Sequence, residues 1–166
     1  SSDPAISDVK PFRRAIATGL AGVDGGDMVT FGIPVTRAET GYGYMRLSGQ
    51  NGDIAQVEQF IEKPTAAVAE TLMAGDCVWN SGMFLARACD VISAFEQFEP
   101  DLTKHVRQSL ADADCDLGFV RLAAAAWENC RDISIAYAIM ERLPRLARVP
   151  LSAGGAAPRR STCCSQ

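Results

Sequence analysis

Apolar runs that end in polar residues and a chain breaker recur along the first half of the chain. Three of them have the length and apolar content of buried strands: residues 28–33, 54–61 and 77–85. A short helical pattern at residues 65–74 separates the second run from the third. This spacing predicts a strand–helix–strand crossover that joins two strands of one sheet.

The remaining pattern predicts one helix before these strands in the chain and several helices after them. A first helix is expected to be capped by Asp8, to end near residue 18 or 20, and to be followed by a glycine-rich break at residues 22–26. Residues 48–53 predict a hairpin-like turn. The second half reads as helical, with a short strand near its end: helices at 91–98, 102–110, 117–127 and 133–141, and a strand at 148–151.

Polar side chains stand where two of the predicted strands end or are interrupted. Glu62 and Lys63 follow an apolar run and precede Pro64, which fits either a ligand-binding strand end or a solvated one. Asn80 lies inside an apolar run, where an unpaired buried amide would cost about 1–3 kcal/mol. Either backbone groups satisfy Asn80 or it faces a pocket, and we favour the pocket.

Within residues 39–44, two glycines alternate with two tyrosines. Gly41 and Gly43 allow a ligand to approach the backbone closely, and Tyr42 and Tyr44 could form an aromatic wall beside it. The alternative is an edge strand or bend whose tyrosines pack on the surface. The residues alone leave both open.

Composition narrows the class of protein. A net charge of −4 and a pI near 5.0 argue against a nucleic-acid partner. No apolar run approaches the roughly 20 residues of a membrane span. Six cysteines with a single histidine, and no two-residue cysteine spacing, predict free thiols and a cytoplasmic location. At 166 residues we expect one domain over residues 1–151, followed by a disordered tail at 152–166 where periodicity is lost.

Five segments, in order, together resemble the bacterial mannose-1-phosphate guanylyltransferases, including the bifunctional type that also carries a phosphomannose isomerase domain. These segments are residues 29–33, 39–44, 60–64, 79–84 and 134–141. The resemblance implies an α/β fold, a Rossmann-like nucleotidyltransferase (GT-A-like) with a mixed sheet and flanking helices. It also implies the reaction: GTP plus mannose 1-phosphate gives GDP-mannose plus pyrophosphate, a step of polysaccharide biosynthesis, with Mg²⁺ offsetting the developing charge.

The same resemblance assigns roles to individual residues. Lys63 would contact the phosphate of the sugar and is the candidate catalytic residue. Glu62 would accept hydrogen bonds from mannose hydroxyls, and Asn80 would bind the sugar too. Gly43 and Tyr44 would line the same site.

The resemblance also bears on the metal and the nucleotide. Asp3 matches the aspartate that holds Mg²⁺ in the family. The family's glycine-rich loop, which binds the nucleotide phosphates, has no counterpart here, so we expect a sugar-phosphate-binding portion that is inactive alone. Apolar edges left uncovered would favour a homo-oligomer. Two alternatives stay open: a non-catalytic sugar-phosphate-binding module, and a nucleotidyltransferase for another hexose 1-phosphate.

Overall fold

A computed structural model describes residues 9–49 and 52–151 of the chain. These residues fall into two compact units. The first contains the described residues up to Arg87 and those from Pro144 onward, and the second is Ala88–Leu143.

Secondary structure follows the α/β order expected from the hydrophobic pattern. In chain order the helices are α1 (Val9–Asp24), α2 (Ala66–Met73), α3 (Ala88–Phe98), α4 (Pro100–Ala111), α5 (Ala124–Trp127) and α6 (Ile135–Ala138), with a 3-10 helix at Met140–Arg142. The strands are β1 (Met28–Pro34), β2 (Tyr44–Leu47), β3 (Ala55–Ile61), β4 (Cys77–Leu85), β5 (Asp114–Asp116), β6 (Phe119–Arg121) and β7 (Leu146–Pro150).

The first unit is built on a mixed five-stranded sheet in the order β1-β4-β2-β3-β7, which closes on itself. β1 runs parallel to β7 and antiparallel to β4. β2 lies between β3 and β4 and is antiparallel to both. The strands β3 and β4 are therefore parallel to each other, and α2 joins them, which confirms the predicted crossover. The predicted α/β fold with a mixed sheet and flanking helices is also confirmed.

One face of this sheet carries the apolar core. Side chains alternate between the two faces of a strand, and every second residue of β1 belongs to the core. The core cluster includes Val29, Phe31, Ile33, Tyr42, Tyr44, Trp79, Ala147 and Val149. We call this side of the sheet the core face. The opposite side bears Thr30, Gly43, Glu62 and Asn80, and we call it the polar face.

Helix α1 extends further than the sequence predicts. The glycine-rich segment was expected to break the helix, but α1 continues through Gly19 and Gly22 to Asp24. Both glycines are buried where the helix meets the sheet. A Cβ on Gly22 would lie 2.9 Å from a methyl of Val29 in β1, and one on Gly19 would lie 3.3 Å from Leu85. These glycines allow close helix–sheet packing, and for that reason they do not end the helix.

The second unit contains a hairpin where the sequence predicted a helix. The predicted helix over residues 117–127 is wrong in its first half, where β5 and β6 pair instead. Leu117 and Gly118, the two residues between the strands, have φ of 48° and 83°. A two-residue turn with positive φ at both positions matches the twist of a hairpin and cannot continue a right-handed helix. The predicted helix at 133–141 is present as α6 and the 3-10 helix, interrupted at Ile139.

Several sequence predictions fall on residues that the structure does not describe. These are the helix cap at Asp8, the metal ligand Asp3, the tip of the hairpin loop between β2 and β3, and the tail at 152–166. Within the described ranges, Cys77, Cys89, Cys115 and Cys130 are free thiols. None of the helices in those ranges is long and apolar enough to span a bilayer.

Candidate functional site

The sheet brings two of the predicted site residues, Glu62 and Asn80, to either side of a third, Gly43. β2 is antiparallel to both of its neighbours, and its first residue pairs with the last residue of β3 and with Trp79 of β4. Gly43, one step before β2, therefore lies between Glu62 on one side and Asn80 on the other. The backbone N–H of Asn80 donates to the Gly43 carbonyl at 2.8 Å, which fixes this placement.

Glu62 approaches the backbone of Gly43 directly. A Cβ built on Gly43 would lie 2.5 Å from Oε2 of Glu62 and 3.0 Å from Cζ of Phe60. The carboxylate thus occupies the space that a side chain at position 43 would fill. Because Gly43 has no side chain, there is room for an acidic group beside it on the polar face.

Lys63 lies in the turn that ends β3. Its φ is 47°, in the left-handed region that non-glycine residues rarely adopt. The backbone amide of Lys63 donates to the carbonyl of Tyr42 at 3.2 Å, and its side chain is exposed. The strand therefore ends before Lys63, as the position of Pro64 led us to predict. Lys63 is the next residue in the chain after Glu62.

Asn80 begins an irregular stretch of β4. Thr30 pairs with Phe84 and Gly32 pairs with Asn80, so two residues advance along β1 while four advance along β4. Gly82, within the bulge, has a φ of 80°. Bulges of this kind redirect side chains. Asn80 is half-buried here, and its side-chain oxygen accepts hydrogen bonds from Thr30 at 2.7 Å and from the Gly82 amide at 3.2 Å.

Tyr44 is the predicted site residue whose side chain lies elsewhere. Its ring is fully buried on the core face, with its centroid 6.3 Å from that of Trp79 in an edge-to-face contact. Its hydroxyl accepts a hydrogen bond from the backbone amide of Glu39 at 2.8 Å. The structure does not bring the Tyr44 ring to Glu62 and Asn80, and its proposed role in binding stays a prediction.

Two further polar residues lie on the polar face, and neither was among the site residues predicted from the sequence. Thr30 is completely buried in β1 and bonds to Asn80. Arg148, its neighbour in β7, is also buried, and its Cγ lies 2.7 Å from the position that a Cβ on Gly32 would take. Burial lowers the pKa of the Arg148 guanidinium from its ordinary value. The sequence does contain an indication of both residues, because each is a polar side chain within an otherwise apolar strand.

The described residues do not supply a metal site of their own. No group of three His, Cys, Asp or Glu side chains within residues 9–49 and 52–151 is close enough to hold a metal ion. The candidate ligand, Asp3, lies outside those ranges. What the polar face offers chemically is a carboxylate acceptor at Glu62 and an amide at Asn80. Lys63, the next residue after Glu62, adds an exposed cation at the end of β3.

Comparison with known proteins identifies the family. The sequence profile of the nucleotidyl transferase family matches residues 1–137. The chain belongs to the nucleotidyl transferase family. The match covers most of the chain and includes residues of both compact units. It confirms the predicted membership of a nucleotidyltransferase family.

Relatives within the nucleotidyl transferase family match nearly all of this chain. The chain is 40% identical over 157 residues to the alginate biosynthesis protein AlgA of Pseudomonas aeruginosa, covering 92% of this chain and 33% of that protein. It is 39% identical over 160 residues to the mannose-1-phosphate guanylyltransferase ManC of Salmonella typhimurium, covering 93% and 33%. The chain thus spans about a third of the length of these curated relatives. The resemblance found in the five sequence segments is confirmed.

A solved structure matches the fold. The crystal structure of mannose-6-phosphate isomerase from Helicobacter pylori superposes with a TM-score of 0.83 at 26% sequence identity, covering 92% of this chain and 61% of that one.

Proposed function

We propose that this chain forms the sugar-phosphate-binding part of a mannose-1-phosphate guanylyltransferase. The observation that carries the proposal is the gathering of Glu62 and Asn80 around Gly43, with Lys63 next in sequence, in a chain whose relatives include an enzyme of that name. The reaction joins a phosphate oxygen of mannose 1-phosphate to the α-phosphorus of GTP. The bond from that phosphorus to the bridging oxygen breaks, and pyrophosphate leaves.

The three side chains suit the two ends of such a substrate. The Lys63 ammonium would offset the negative charge of the sugar phosphate, since an exposed lysine is a flexible point charge for a phosphate group. The Glu62 carboxylate would accept hydrogen bonds from ring hydroxyls, and the Asn80 amide would bind the sugar from the other side of Gly43. The role of these residues is to position the substrate and to offset charge, which is most of what phosphoryl transfer asks of a protein.

Mg²⁺ and GTP belong to the same proposal. Mg²⁺, when bound, would offset negative charge on the substrates. Asp3 is the proposed ligand, and the support for it is the motif resemblance alone. A cytoplasmic location and self-association likewise stay predictions.

Calorimetric titration of the chain with mannose 1-phosphate tests the sugar-phosphate site. We expect binding, and we expect Lys63→Ala to weaken it about tenfold or more, because a hydrogen bond to a charged group is worth about 1.5–3 kcal/mol. Lys104→Ala is the matched control, since Lys104 is an exposed lysine of the second unit. Binding of unphosphorylated mannose should be insensitive to both substitutions.

The other outcomes separate the alternatives. Equal affinity for glucose 1-phosphate would favour a nucleotidyltransferase for another hexose. Equal binding by the wild-type chain and Lys63→Ala would contradict the role of Lys63. The absence of any binding by the wild-type chain would contradict the proposed function itself.

A further inference from the structure

Thr30 contacts the site from a strand that contributes none of the predicted site residues. It lies in β1, fifty residues before Asn80, and it has no exposed surface. Its hydroxyl oxygen lies 2.7 Å from Oδ1 of Asn80 and 2.9 Å from the carbonyl oxygen of Met83. One threonine therefore joins both sides of the bulge in β4.

The orientation of the Asn80 amide follows from its neighbours. The Gly82 backbone N–H can only donate, so the Asn80 atom 3.2 Å away from it must be the oxygen. The single hydroxyl hydrogen of Thr30 is shared between two acceptors, this Asn80 oxygen and the Met83 carbonyl. The two acceptor positions of the Asn80 oxygen are then both occupied. The amide nitrogen, with its two hydrogens, is the part of Asn80 that can serve a ligand.

We infer that Thr30 is a positioning residue that holds Asn80 as a hydrogen-bond donor on the polar face. The inference rests on the proposed function in taking Asn80 as a ligand-binding residue. An oriented amide donor at Asn80 and a carboxylate acceptor at Glu62 flank Gly43 from its two sides. This pairing suits hydroxyl groups, which both donate and accept. The site therefore selects a polyhydroxy ring, and a ligand that offers only hydrogen-bond donors next to Asn80 is excluded.

The first test needs no ligand. The chain contains three asparagines, at 51, 80 and 129, so selective ¹⁵N labelling of asparagine gives three pairs of side-chain amide signals in an NMR spectrum. Thr30→Val removes the hydroxyl and keeps the shape, and Thr30→Ser keeps the hydroxyl. We expect the Asn80 side-chain signals to shift and to exchange faster with water in Thr30→Val, and to stay near their wild-type values in Thr30→Ser.

The second test measures the affinity for mannose 1-phosphate. We expect a loss of about tenfold in Thr30→Val, the size of one hydrogen bond of the ligand, and recovery in Thr30→Ser. Thr71→Val is the matched control, because the Thr71 hydroxyl is exposed and bonds within its own helix to Ala67. Circular dichroism of each variant before titration shows that the comparison is made between folded proteins.

The two tests can fail separately. Unchanged Asn80 side-chain signals in Thr30→Val would overturn the positioning role whatever the affinity. Unchanged affinity together with shifted signals would overturn the claim that the held orientation serves the ligand. If the wild-type chain binds no mannose 1-phosphate, the proposed function fails, and the amide signals still decide whether Thr30 orients Asn80.

Discussion

The Glu62 carboxylate lies against the backbone of Gly43, in the space that any other residue at position 43 would fill. A Cβ there would come within 2.5 Å of Oε2 of Glu62, which is closer than non-bonded atoms approach. The two residues lie side by side where β2 begins and β3 ends, although 19 positions separate them in the chain. A glycine just before one strand therefore decides where an acidic group just after the next strand can lie.

Replacing Gly43 by alanine should move the Glu62 carboxylate with limited damage to the fold. The closest atom is the end of a flexible side chain, which can rotate away, and the Phe60 ring, 3.0 Å from the added Cβ, would have to yield by a few tenths of an ångström. We expect affinity for mannose 1-phosphate to fall about tenfold or more, because the acceptor for the sugar hydroxyls is displaced. Gly41→Ala is the control, since its Cβ would have its nearest neighbour at 3.5 Å, an ordinary contact. Calorimetry showing equal affinity in the two variants would contradict the proposed role of Glu62.

Lys63 combines a functional charge with an unfavourable backbone conformation. A left-handed conformation costs a non-glycine residue about 1–2 kcal/mol, whereas glycine adopts it freely. We expect Lys63→Gly to be more stable than Lys63→Ala by about 1 kcal/mol, while both lose affinity for the sugar phosphate to the same extent. Urea unfolding followed by near-ultraviolet circular dichroism gives the comparison. If Lys63→Ala were the more stable of the two, the positive φ at this position would be wrong.

The strands near the site could be predicted because their apolar runs and breakers are local signals. Pro64 after β3 and the helical pattern of α2 were sufficient to predict the crossover, and the five sequence segments identified the family. The role of Thr30 could not be predicted in this way, because its partner is fifty residues distant. The bulge that brings the two together depends on pairing between β1 and β4. A single polar residue in an apolar strand was the visible signal.

The errors in the secondary structure arose from glycines whose role depends on the surroundings. The predicted break at residues 22–26 begins with Gly22, yet Gly22 lies within α1, where the helix packs closely on the sheet. Gly118 was read as part of a helix, yet it forms the hairpin turn with Leu117. Local propensity is a weak guide where tertiary packing or a positive φ decides the outcome.

Asp27 links the beginnings of β1 and β7 to β3, next to the closure of the sheet. Its side chain is about 10% exposed and accepts hydrogen bonds from Arg145 Nε at 2.9 Å and from Gln56 Nε2 at 3.0 Å. In Asp27→Asn one of these donors would face an NH₂ group instead of an acceptor, whichever way the amide turned. We expect the first unit to lose about 1–3 kcal/mol of stability, the cost of a buried polar group without its partner.

Hydrogen exchange at the Met28 amide can report this loss, because that amide donates to the Arg145 carbonyl at 3.1 Å, where β1 and β7 begin. Exchange should be faster in Asp27→Asn. Asp24→Asn is the matched control: Asp24 is exposed at the end of α1, where removing a negative charge from a helix C-terminus is neutral or slightly favourable. Equal protection of Met28 in the two variants would show that Asp27 does not hold these strands together.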